Sequence, residues 1–192
     1  MLFVLVTQIV VVIMDKYYTG IGSRSTPPKI LKLMGQLGNL FKGTYILRSG
    51  GAPGADLAFE EFLEPHQMHI YLPWKGFNDH KSDLHTQSFE AINIASQLHP
   101  AWKSLKPSVK KLMSRNAHQV MGNNCRTPSD FVICWTKDGA SARSEVTGKT
   151  GGTGLAISAA SAYGIPIYNL GKEEVLEALL TQYNLKEWYE SI

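Results

Sequence analysis

The sequence predicts an α/β protein in three layers, a mainly parallel sheet flanked by helices. Short apolar runs alternate with helical patterns along the chain, and that alternation makes a parallel, helix-covered sheet. Three glycine-rich loops come after hydrophobic strands: Gly20-Ile21-Gly22-Ser23-Arg24, Ser49-Gly50-Gly51-Ala52-Pro53-Gly54-Ala55-Asp56, and Thr150-Gly151-Gly152-Thr153-Gly154. The run from Asp130 to Thr136 is almost continuously apolar, as a strand covered on both faces requires.

Tyr17 to Ile21, rich in aromatic and β-branched residues, predicts the first strand. Thr26-Pro27-Pro28 then reads as a helix start, with prolines where a first turn needs no N–H donor. Ile30, Leu31, Met34, Leu37, Leu40 and Phe41 recur at helical spacing, and Gly43 closes that helix. Thr44 to Leu47 predicts the second strand, leading into the second glycine loop. Ala55, Ala58, Phe59, Phe62 and Leu63 give one apolar helix face, and His69 to Leu72 predicts a strand stopped by Pro73. Trp74 to Asp83 is polar and irregular, a segment expected to cover a pocket.

Two helices follow. Thr86 to Leu98 is expected to bury Phe89, Ile92 and Ala95, and Pro107 to Met121 to bury Val109, Leu112, Met113 and Val120. Lys137 to Lys149 is a polar loop of small residues. The third glycine loop opens a helix of unusually small side chains, Ala156 to Ala162, which can sit close to a sheet, and Gly164 ends it as a left-handed cap. Ile165 to Leu170 predicts the last strand, and Glu173 to Leu180 and Leu185 to Tyr189 a helical tail.

At 192 residues, the chain reads as one domain over residues 15–192 behind an apolar extension, residues 1–14. The run from Leu2 to Met14 is too short for a membrane-crossing helix and lacks a signal peptide's positive flank, so no membrane partner is expected. A net charge of +3 admits an anionic ligand without marking a nucleic-acid footprint. The densest basic stretch, Lys103 to Arg115, reads as a solvated helix face. Two cysteines, Cys125 and Cys134, offer neither a disulfide framework nor zinc spacing, which points to a reducing cytoplasm. His66, His69, His80 and His85 lack supporting ligands, so no metal is expected.

The glycine loops carry the chemistry. Glycine lets backbone approach an anion, and the N–H groups at the following helix start point at it. Gly20, Gly22, Ser23 and Arg24, then Ser49, Gly50, Gly51, Gly54, Ala55 and Asp56, then Thr150, Gly151, Gly152, Thr153 and Gly154, are therefore candidate ligand-binding residues for a nucleotide-type molecule. Arg24 offers a bidentate partner for phosphate. Asp56 and Glu60, four apart on one helix face, are the candidates for holding a ribose or for general acid/base work in an enzyme. The plain alternatives are helix capping for Asp56 and surface charge for Glu60. Thr147-Gly148-Lys149-Thr150 imitates the end of an ATPase P-loop, but Arg143 stands where its first glycine belongs.

In their order, the first two glycine loops, Arg115-Asn116, the strand around Val132 and the Thr150–Gly154 loop resemble the Rossmann-like domain of the DprA/Smf family. They also resemble the wider superfamily of DprA-like and LOG-like nucleotide-binding domains, SLOG, over roughly Tyr17 to Leu170. The resemblance adds Arg115 and Asn116 to the candidate pocket. It implies one of three activities: binding or sequestering a nucleotide-derived signal, as in phage conflict systems; hydrolysis of a nucleotide N-glycosidic bond; or DprA-like single-stranded DNA binding. LOG-like hydrolases carry a glutamate where this chain has Ser158, and DprA proteins carry extra domains, so the first activity is the leading expectation. Related domains often pair, which makes a homo-oligomer an expectation from resemblance. No cofactor is expected.

Overall fold

A computed structural model describes residues 15–192; the apolar extension over 1–14 lies outside the described residues. Five parallel strands run through it: β1 (Tyr17–Gly22), β2 (Ile46–Ser49), β3 (Met68–Ile70), β4 (Phe131–Trp135) and β5 (Ile167–Asn169). Their order in the sheet is β3-β2-β1-β4-β5. The helices are α1 (Pro28–Phe41), α2 (Ala55–Glu60), α3 (Phe89–Leu98), α4 (Pro107–Met121), α5 (Thr153–Ala162), α6 (Glu173–Gln182) and α7 (Lys186–Ser191). This is a Rossmann-like three-layer α/β fold.

Strand alternation sorts the core into two halves. Tyr18, Leu47 and Ile133 point to one face, where they pack with Leu33, Leu37, Phe59 and Leu180 of α1, α2 and α6. Ile21, Val132 and Cys134 point to the other, against Ala91, Ala117, Ile157 and Ala160 of α3, α4 and α5. β1 is central and paired from Tyr17 to Gly22, so its loop opens in the middle of the sheet's carboxyl edge. The connections leaving β1 and β4 go to opposite faces, which opens a crevice between their ends.

α5 behaves as its composition demands: Thr153 to Ala160 are all buried, and Gly164 caps the helix at φ +67°. α3 does not present the expected face. Phe89 is 80% exposed and Ile92 is also exposed, while Ala91, Ile94 and Ala95 are buried. Ser88 caps this helix by accepting the Ala91 N–H, and α3 packs against both α4 and α5, where small residues fit. Among the described residues, no helix is long and apolar enough to cross a membrane.

Candidate functional site

The loops after β1 and β2, the middle of α4 and the third glycine loop enclose a cleft of about 320 Å³ at the carboxyl edge of the sheet. Ten expected residues border it: Gly22, Ser23, Arg24, Asp56, Arg115, Asn116, Thr150, Gly151, Gly152 and Thr153. Gly20, Ser49, Gly50, Gly51, Gly54, Ala55, Glu60 and Gly154 do not. Ile21, Ala52, Leu112, Met113 and Lys149 complete the lining.

In the first loop, the Ser23 N–H donates to Trp135 O at 3.2 Å, which ties the loop to β4. The Ser23 and Ser25 hydroxyls lie 2.8 Å apart, and Arg24 stands exposed at the rim. The second loop is shaped by two glycines. Gly54 lies at φ +94° against the backbone of Ser23 and Arg24, and it leads into α2 without a side-chain cap. At Gly50, a Cβ would collide with the Arg115 guanidinium and stand 2.8 Å from Asp56 Oδ2, so only glycine leaves room for the pair.

That pair is buried. Arg115 Nη1 donates to Asp56 Oδ2 at 3.2 Å and to Gln119 Oε1 at 2.9 Å, with the two residues 5% and 2% exposed. Burial pushes the Asp56 carboxyl up, opposed by Arg115 and by the N–H groups of Ala52 and Gly22. Burial equally lowers the Arg115 guanidinium, opposed by Asp56. Among the described residues, Arg115 Nε is buried without a partner, and Nη2 has no acceptor. Arg115 therefore does not belong to the solvated face expected for Lys103 to Arg115; Lys103, Lys106 and Lys111 are exposed, and Lys110 lies over Trp102. Asp56 is not the cap of its helix either, since its carboxylate accepts the Ala52 N–H at 3.4 Å and faces α4.

Glu60 corrects the surface reading. It is 9% exposed, accepts the Gly51 N–H at 3.2 Å and sits 3.5 Å from His80 Nε2. Burial, helped by the Asp56 charge, pushes its carboxyl up to about 7. His80 Nδ1 accepts the Ser82 N–H at 3.2 Å, which puts the neutral ring's proton on Nε2, facing Glu60. Asn78 Nδ2 donates to Gly51 O at 2.8 Å. The Trp74 to Asp83 segment thus clamps the back of the second loop, and none of it borders the cleft.

The third loop supplies backbone. Gly151 is left-handed at φ +67° and Gly152 right-handed at φ −62°, an order that turns successive N–H groups to one side as a nest. The N–H groups of Gly151, Gly152 and Thr153 have no acceptor among the described residues. Asn116 fixes the loop by donating Nδ2 to Gly152 O at 2.7 Å, which leaves its Oδ1 open to the cleft. Asp138, which sequence reasoning missed, anchors the loop from below by accepting the Thr150 and Thr147 hydroxyls at 2.7 and 3.1 Å. Burial works against the charge, but those hydroxyls and that of Thr136 hold the carboxyl below its usual range. Lys149, exposed beside Thr150, adds a cation that is not among the candidates from sequence; a basic residue next to a glycine-rich loop is its signal.

Fold and cleft together define a Rossmann-like α/β protein with a cationic crevice at the carboxyl edge of its sheet. Comparison of the chain with protein-family models, curated proteins and solved structures finds no match.

Proposed function

We propose that the protein binds a nucleotide or nucleotide-derived small molecule, as a sensor or a sequestering protein. The observation that carries this reading is the convergence of free donors. The N–H groups of Gly151, Gly152 and Thr153, Arg24, Lys149 and the open Nη2 of Arg115 all border one cleft. Phosphate oxygens are the acceptors that match such a set, because helix-start N–H groups and guanidinium forks both suit them. The resemblance to SLOG domains supports the same reading. Asn116, which lines the same cleft, brings an amide oxygen suited to accept from a ribose hydroxyl.

A hydrolase would need a free acid/base in the cleft. Glu60 does not border the cleft, and Asp56 is tied to Arg115 and to the Ala52 N–H, so the geometry favours holding over cleaving. None of the lysines from Lys103 to Lys111 reaches the cleft, which gives single-stranded DNA no continuous basic track into it. The test is mass spectrometry of a nucleotide panel incubated with the protein, before and after heat denaturation. The expected result is depletion of a compound from the free pool, its intact recovery on heating, and loss of depletion in Arg24→Ala. A panel left untouched would overturn the reading, and a released free base would replace it with N-glycosidic hydrolysis.

A further inference from the structure

Across the third glycine loop lies a second cavity, of about 430 Å³. It shares Met113, Gly151 and Gly152 with the cleft. The partition between the two is a saddle almost bare of side chains. No atom beyond the adjoining residues lies within 4 Å of where a Cβ on Gly151 would stand, and at Gly152 the nearest is Met113 Cε at 3.9 Å.

The two cavities differ in chemistry. The cleft carries Arg24, Arg115 and Lys149. The second cavity has no Lys, Arg, Asp or Glu in its lining, and Leu98, Met113, Val146 and Leu155 give it apolar walls. Three polar side chains line it: Thr147, whose hydroxyl is taken by Asp138, and Ser158 and His99. Ser158 is 4% exposed, and its hydroxyl has no hydrogen-bond partner among the described residues. His99 Nδ1 accepts the Ala101 N–H at 3.2 Å, so the neutral ring carries its proton on Nε2. An apolar slot with one hydroxyl and one ring N–H at its edge suits a flat, uncharged heteroaromatic ring.

We propose that this second cavity seats the base of the ligand. The nucleotide lies over the Gly151–Gly152 saddle with its phosphate in the cleft. Its ring packs between Leu98, Met113, Val146 and Leu155, and its edge is read by Ser158 and His99. This rests on the nucleotide reading above and deepens it, since the Trp74 to Asp83 segment expected to cover the pocket is packed on the second loop instead.

The experiment is calorimetry with the tightest-binding nucleotide of the panel and with ribose 5-phosphate, which lacks a base. Wild-type protein is expected to bind the nucleotide at least about tenfold more tightly, the scale of one well-packed ring. Gly148 lies on the rim of the second cavity, outside the left-handed region, with no neighbouring atom within 4 Å of its Cβ position. Gly148→Trp is therefore designed to crowd the mouth of the cavity without disturbing the fold, which an unchanged thermal midpoint verifies. In Gly148→Trp the advantage of the nucleotide is expected to shrink to about threefold or less, with ribose 5-phosphate binding unchanged. Ser158→Ala is expected to alter the ranking among bases and leave ribose 5-phosphate alone. An advantage that survives Gly148→Trp intact, or nucleotide and ribose 5-phosphate binding equally, would overturn the base site while leaving the phosphate cleft standing. Binding of neither compound would remove the nucleotide reading itself, and this proposal with it.

Discussion

Asp56→Asn replaces a buried carboxylate by a neutral group of the same shape. The pair it breaks has its charged atoms 3.2 Å apart, with side chains 2% and 6% exposed. Arg115 would keep only neutral amide oxygens, Gln119 Oε1 and at best that of the new Asn, as acceptors for its charge, and its Nε is already without one. Leaving one member of a buried ion pair alone costs about 3–5 kcal/mol, because the remaining charge has lost both water and partner. In a chain of this size, that corresponds to a fall in Tm of about 6–20 °C. The assay is urea unfolding followed by far-ultraviolet circular dichroism at neutral pH. Repeating it in high salt should return the same loss, since buried pairs are screened little. A loss below about 1 kcal/mol would refute the reasoning by placing the pair among ordinary surface contacts. The double variant Asp56→Leu, Arg115→Met should recover most of the loss, as apolar replacements of buried pairs do, yet fail to bind nucleotide.

Two further outcomes follow from the same geometry. Glu60 has a folded-state pKa of about 7 against an ordinary 4.5, so the folded protein holds a proton that the unfolded chain has already released between those values. Its contribution is complete below the ordinary value and is lost as pH rises through about 7, a change of about 3 kcal/mol that Asp56 reinforces in direction. The wild-type urea midpoint should therefore fall between mildly acidic and mildly alkaline buffer, while Glu60→Gln should fall much less; parallel curves would sink the assignment. Asp138→Ala removes the acceptor of two threonine hydroxyls beside the third loop and, as Asp138 is exposed, should cost about 0.5–1.5 kcal/mol. Hydrogen exchange at Thr150 and Gly154, whose N–H groups donate to Thr147 O and Gly151 O, should quicken in that variant, and unchanged exchange would show that the loop holds its shape without the anchor.

The layer architecture was legible because strand and helix alternate cleanly, and α4 has the predicted bounds, Pro107 to Met121, because a proline opens it and a glycine follows it. The sequence predicts β2 over Thr44 to Leu47, two residues early, because Arg48 and Ser49 look like loop residues. They are buried strand residues instead: Arg48 lies 3.7 Å from the centre of the Tyr17 ring and donates to Thr127 O. The glycine loops announced the cleft, but not which of their residues would border it. Gly20, Gly50, Gly54 and Gly154 serve close packing behind the loops, against Phe59, Arg115, Arg24 and Val146 respectively. That division depends on contacts between distant segments. The burial of Glu60 was hidden for the same reason, since His80 and Gly51 reach it from outside its own helix.

An all-parallel sheet with β1 at its centre also sets an order of assembly. β1 is flanked by β2, which arrives early, and by β4, whose contact with it joins Tyr17 to Asp130 across 113 positions of chain. On a ribosome, the growing polypeptide would carry β1 with one edge unpaired until the segment around Phe131 emerged. Such long-range closure slows folding and leaves an edge open to strangers in the meantime. A nascent chain halted before Asp130 should thus be prone to aggregate, while one extended past Asn169 can close both flanks of its central strand and shield it.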